Sequence, residues 1–228
     1  MKTRLVVAAV LTCLCWPQTM PAQTPSSNAA TAVQIAAART ANDALMRQYS
    51  WTSRTEVIDQ GQVKDLRLDL VTYGPDGQLQ RNVMNDESAP LPRGFIRRRI
   101  AEKERQKVEE YLSGLRAILE QYTLPTAGKM LDFLNQARTS GPDASGQLEM
   151  TGNGVITPGD TFSVWTDAKT RQTRKIQVAT VFQGDVVNLT ATFKTLASGL
   201  NHVDFGEVMV SAKQLSLQVQ NFNYNKNN

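Results

Sequence analysis

Residues 176–193 read IQVATVFQGDVVNLTATF, and the fold follows from this stretch. Ile176, Val178, Thr180 and Phe182 alternate with Gln177, Ala179 and Val181. Gln183-Gly184-Asp185 then turns the chain, and Val187, Leu189, Ala191 and Phe193 alternate on the way back. A period of two with one apolar face marks a half-buried strand, and a short Gly-containing break between two such runs marks a hairpin. Strands of this kind build an antiparallel sheet with one side covered.

The pattern extends in both directions. Downstream, a loop at 197–201 precedes Val208 and Val210, and then come Leu215, Leu217 and Val219. Upstream, Leu148 and Met150 run into Asn153-Gly154, and Thr157-Pro158-Gly159-Asp160 opens the strand that holds Phe162 and Val164. Near the start, Trp51, Ser53, Thr55 and Val57 face Leu66, Leu68 and Leu70 across a turn at Asp59-Gln60-Gly61. Gly74-Pro75-Asp76-Gly77 leads into a third strand at 78–84, followed by a polar loop at 85–92. The total is about eight to ten strands.

Three stretches break this period. Ile35, Ala38, Leu45 and Tyr49 share a helical stripe over 32–49. Residues 93–122 place Ile100, Val108, Leu112, Leu115 and Leu119 on one side, Pro125 stops that helix, and a shorter one follows with Met130, Leu131 and Leu134. So few helices offer limited apolar area for so many one-sided strands, and the sheet must therefore curl. The fold class expected is α+β: a curved antiparallel sheet, an incomplete β-barrel, with helices covering its concave face. A curved sheet with helices in its mouth suits an apolar ligand.

Residues 1–22 have the three parts of a secretory signal: Lys2 and Arg4, an apolar run over 5–15, and Met20-Pro21-Ala22 at the end. Both cysteines, Cys13 and Cys15, lie inside it, so cleavage leaves a chain without thiols and with 23 basic against 21 acidic residues. A near-neutral chain gives no electrostatic footprint for nucleic acid. The address expected is the periplasm, with no membrane-spanning segment; Leu11-Thr12 before Cys13 fits a lipidation site poorly, and a lipid anchor stays open. The domain plan reads as signal at 1–22, flexible start at 23–31, one domain at 32–222 with a helical insert at about 93–138, and a frayed end at 223–228.

No catalytic motif emerges. No serine sits in a Gly-x-Ser-x-Gly elbow, and His202, the one histidine, falls in a loop. One histidine and no cysteine do not supply the ligand set of a zinc site, and neither metal nor other cofactor is expected. Asp65 and Asp69, with Lys64 and Arg67 nearby, read as a solvated, charge-paired strand face. Trp51 and Trp165 read as strand packing residues, though either could line a cavity. Arg97-Arg98-Arg99 is the sharpest charge feature. It suits lipid headgroups or an acidic protein partner, while pairs such as Arg98 with Glu102 suit a solvated helix face.

The order of elements, the stretch from Gln48 to Thr55, the Tyr-Gly-Pro-Asp-Gly-Gln-Leu-Gln turn at 73–80 and the run from Phe193 to Leu217 together resemble the periplasmic lipoprotein-sorting carriers. The start Tyr49-Ser50-Trp51-Thr52-Ser53-Arg54-Thr55-Glu56-Val57, with the Lys/Arg-rich helix, also resembles uncharacterised exported bacterial proteins. The resemblance to the carriers implies an incomplete barrel lidded by helices, an apolar cavity for acyl chains, and a lid latch for which Arg54 is the candidate. The apolar strand faces give the expected lining: Trp51, Leu66, Leu68, Leu70, Ile176, Val178, Phe182, Leu189 and Phe193. The function expected is non-catalytic binding of a lipid or lipidated partner. The alternative is an envelope interaction module with a packed core, docking through Arg97, Arg98 and Arg99.

Overall fold

The computed structural model describes residues 27–88, 95–123 and 126–227. The signal at 1–22 lies outside them. The chain opens with helix α1 (Ser27–Met46) and three strands, β1 (Tyr49–Asp59), β2 (Gln62–Tyr73) and β3 (Leu79–Ser88). Helices α2 (Phe95–Leu119) and α3 (Ala127–Gln136) follow, with the 3-10 turn Glu120–Thr123 between them. Seven strands complete it: β4 (Arg138–Ser140), β5 (Gln147–Asn153), β6 (Thr161–Asp167), β7 (Thr173–Phe182), β8 (Asp185–Thr195), β9 (Asn201–Val210) and β10 (Leu215–Lys226).

All ten strands described form one antiparallel sheet in the order β3-β2-β1-β10-β9-β8-β7-β6-β5-β4. The sheet is curved and open. Its two free edges, β3 and β4, are the strands that flank the helical insert, so the chain is a meander cut where α2 and α3 are inserted. The hairpin at 176–193 forms as its pattern requires: Phe182 pairs with Asp185, and Gln183 and Gly184 take φ of 52° and 87°, the left-handed pair of a type I′ turn.

Helices cover one face of this sheet. Under α1 and α3, Ile35, Phe133 and Leu134 meet Met150, Phe162, Val164 and Val178. Under α2, Tyr111 and Leu115 meet Val187, Val210 and Leu215. Gly114 permits the close approach of α2 to β7, because a Cβ there would lie 2.8 Å from Phe182 Cζ. Among the described residues, no helix is long and apolar enough to cross a membrane.

Four boundaries depart from expectation. The helix begins at Ser27 rather than within 32–49, since Ala-rich sequence favours helix and Asn28 Nδ2 donates to the Leu134 carbonyl at 3.3 Å. Tyr49 is not its last turn but the buried first residue of β1. Asn85 to Ser88 continue β3 instead of forming a loop. The C-terminal residues are not frayed through 223–226: β10 runs to Lys226, Tyr224 stacks on Trp51, and Asn227 N donates to the Gln48 carbonyl at 2.7 Å.

One bulge overturns the expected face of β2. A plain two-residue turn at Gln60-Gly61 would set Trp51 opposite Leu70. The register instead slips between Val57 and Ile58, leaving Lys64 extra, so Trp51 pairs with Val71 and Ser53 with Asp69. A one-residue slip moves every side chain to the other face. Leu66, Leu68 and Leu70 therefore stand opposite Glu56, Arg54 and Thr52, on the face away from the helices, and they line no cavity beneath them. Asp69 turns inward and is buried, with Arg67 Nε at 2.7 Å and Arg81 Nη1 at 3.5 Å, which corrects the solvated reading of this face.

Candidate functional site: a cavity under the first helix

Where α1 crosses the ends of β6 to β9, packing is incomplete. A cavity of about 280 Å³ remains. Its apolar surface comes from Met46, Met130, Phe162, Val164, Ile176 and Phe193, and its polar rim from Arg39, Asn42, Asp43, Arg171, Gln172, Asn201 and His202. A more open cleft of about 240 Å³ adjoins it, sharing Ala38, Asn42 and Gln172.

The rim is tied together by hydrogen bonds between distant segments. Asn201 N donates to Asn42 Oδ1 at 2.7 Å, and Asn42 Nδ2 donates to the Asn201 carbonyl at 2.8 Å, so one side chain pins α1 to the start of β9. Arg39 Nη1 donates to the Thr123 carbonyl, joining α1 to the 3-10 turn. Arg171, in the left-handed region at φ 58°, donates from Nε to Gln34 Oε1 at 3.0 Å. Asn42→Ala removes both bonds to Asn201 and is expected to cost about 1–3 kcal/mol of stability, read as a lowered urea midpoint.

Behind the rim runs a row of rings. His202 lies 4.1 Å from the Tyr224 centroid, Tyr224 stacks on Trp51 at 5.6 Å and 15°, and Trp51 meets Tyr73 at 6.1 Å. Arg47 sits over Tyr73 at 5.9 Å. Burial pushes the Tyr224 phenol well above the usual tyrosine range, with Asp204 and Tyr73 adding to the rise, so the ring stays neutral. On the opposite wall, the buried Tyr122 hydroxyl donates to Asp160 Oδ2 at 2.7 Å and lies 3.2 Å from Thr180 Oγ1. Burial raises its pKa too.

The expected lining set divides across the molecule. Ile176 and Phe193 line the cavity. Val178 and Leu189 belong to the filled core under α1 and α3, and Phe182 packs on Tyr111 of α2 at 5.1 Å. Trp51 is a ring-stacking partner rather than lining. Arg54 lies with Leu68 and Gln220 on the face away from the helices and pairs with Glu56, so it does not latch them. Arg98 and Arg99 are exposed on α2, where Arg98 pairs with Glu102 at 2.9 Å as its spacing implies. The side chain of Arg97 lies outside the described ones. Trp165 is on the uncovered face, under Lys175 Nζ at 4.7 Å.

The histidine is the clearest correction. His202 is the second residue of β9, 5% exposed, with Nδ1 3.2 Å from the Val203 carbonyl, and not a surface loop residue. Val203 and Phe205, two residues apart, were a faint strand signal beside it. The rim positions Arg39, Asn42 and Met46, at helical spacing, were the other signal available. Among the described residues, no three metal-ligating side chains cluster.

No family model matches this chain, and no curated protein does. Among solved structures it is similar to a DUF1329 family protein from Desulfovibrio piger, with 10% identity over 87% of this chain and 91% of that one and a TM-score of 0.35.

Proposed function

We propose that the protein is a non-catalytic periplasmic binding protein that holds the apolar part of a lipid or lipidated partner beneath α1. One observation carries this reading: the gap left between α1 and the sheet has an apolar floor and a polar rim. Ligand sites are typically built this way, with few polar groups fixing orientation. The size limits the ligand. An apolar cavity of about 150 Å³ holds a benzene, so 280 Å³ accepts roughly a dozen non-hydrogen atoms of a chain. The polar end would rest at Arg39 and Arg171. The resemblance to lipoprotein carriers and the leader at 1–22 support the same compartment and ligand class.

The test uses delipidated protein and an apolar naphthyl fluorophore. A gain in emission, together with lipid detected by native mass spectrometry of protein from its own periplasm, is the expected result. Ile176→Trp fills the floor and should weaken probe binding about tenfold or more, at an overpacking cost of about 1–3 kcal/mol. No emission gain and no co-purified lipid would sink the proposal. The filled core around Val178, Leu189 and Phe182 favours a second reading, a packed interaction module that carries no ligand.

A further inference from the structure

The chain's excess charge sits in one place. From Phe95 to Lys107 there are six basic and two acidic side chains, a net +4, whereas the chain without residues 1–22 carries 23 basic against 21 acidic residues, +2 in all. This is the outer half of α2. Its inner half packs on β7 to β10 from Val108 onward, while Phe95 is 80% exposed and Ile100 is 56% exposed. The first turn holds no acidic residue. Arginines there oppose the positive end of the helix dipole and weaken the helix, so this end is set against its own stability.

We propose that the free end of α2 docks on a membrane surface containing anionic lipid. Arg98, Arg99, Lys103, Arg105 and Lys107, at 100° per residue, span an arc of about 200°, with Phe95 inside it and Ile100 at its edge. A helix end that carries basic groups and exposed apolar side chains together on one broad side suits the boundary between anionic headgroups and acyl chains. Phe95 and Ile100 supply exposed apolar groups for the headgroup boundary. The 25-residue helix is about 37 Å long, and the cavity begins at Tyr122 beyond its far end, so docking and cavity binding are separate events.

The test is flotation of the protein with vesicles of phosphatidylcholine, and of phosphatidylcholine mixed with phosphatidylglycerol. Binding is expected only to the mixed vesicles, falling about tenfold or more between 0.1 M and 1 M salt as the Debye length shrinks from about 10 Å to 3 Å. The double variant Arg98→Glu with Arg99→Glu should lose binding. It places acids at a helix N-terminus, which favours the helix, so unfolding does not explain a loss; a circular dichroism melt checks this. Phe95→Ser with Ile100→Ser should weaken binding at low salt. Ile176→Trp should leave vesicle binding unchanged, which separates this proposal from the cavity reading. Equal binding to both vesicles, no binding to either, unchanged binding by the arginine variant, or capture of an acidic protein without vesicle binding would each overturn it.

Discussion

Replacing Phe162 with alanine is expected to lower the unfolding free energy by about 3–5 kcal/mol, the range for emptying a buried aromatic site. Phe162 is 1% exposed. Its ring lies 4.9 Å from the centroid of Phe133 on α3 and 5.6 Å from that of Tyr122, both tilted, so it joins the helical insert to β6. Tilted aromatic pairs add about 0.5–1.5 kcal/mol each beyond burial. Domains of ordinary size hold only about 5–15 kcal/mol in total, so the variant loses a large fraction. The measurement is the urea midpoint at unchanged slope. Phe162 also lines the cavity under α1, so its removal enlarges the space for an apolar guest. A small aromatic added to the variant should restore part of the midpoint, because a ligand that binds only the folded state stabilises it. A loss below about 1 kcal/mol would show that the site collapses around the missing ring.

The fold was legible because the period of two is local. Each of the strands around Ile176, Leu189 and Val208 carries its own alternation, and turn residues such as Gly184 announce where the chain reverses. What was not legible is how faces align between strands. Lys64 as an extra residue in β2 carries no marker in composition, yet it sends three leucines to one face and Asp69 to the other. Arg54 faces away from the helices by β1's own alternation with Trp51 and Ser53, independent of that bulge, and its candidacy as a latch fails on that parity. The cavity was legible only in part, through Ile176 and Phe193. Its rim depends on where α1 lies, and that is fixed by bonds such as Asn42 to Asn201, 159 residues apart, which no local pattern encodes.

The second large effect concerns Asp160. Asp160→Ala is expected to cost about 3–5 kcal/mol, because one carboxylate accepts from three backbone amides, a phenol and, at 3.4 Å, the Thr157 hydroxyl. Val155 N donates to it at 2.7 Å, Ile156 N at 2.9 Å, Thr157 N at 2.8 Å and the Tyr122 hydroxyl at 2.7 Å. β5 and β6 are joined by the loop at 154–160, and this carboxylate is what closes it. Asp160 is 1% exposed. Burial alone would raise its pKa; the amide donors and the phenol outweigh that and hold it below the usual carboxylate range. The sign of the pH effect follows. A group whose pKa is lower folded than unfolded contributes fully above its unfolded value, about 3.9, and loses that contribution as pH falls through the folded value. Asp160→Asn keeps the shape and cannot titrate. The difference in unfolding free energy between the parent and Asp160→Asn should therefore be constant from pH 7 to 5 and shrink steadily below about pH 4. Urea unfolding at neutral and acid pH measures it directly. A difference that stays the same down to pH 2.5 would mean that the carboxylate's charge adds nothing to the loop, and that its oxygens act as neutral acceptors.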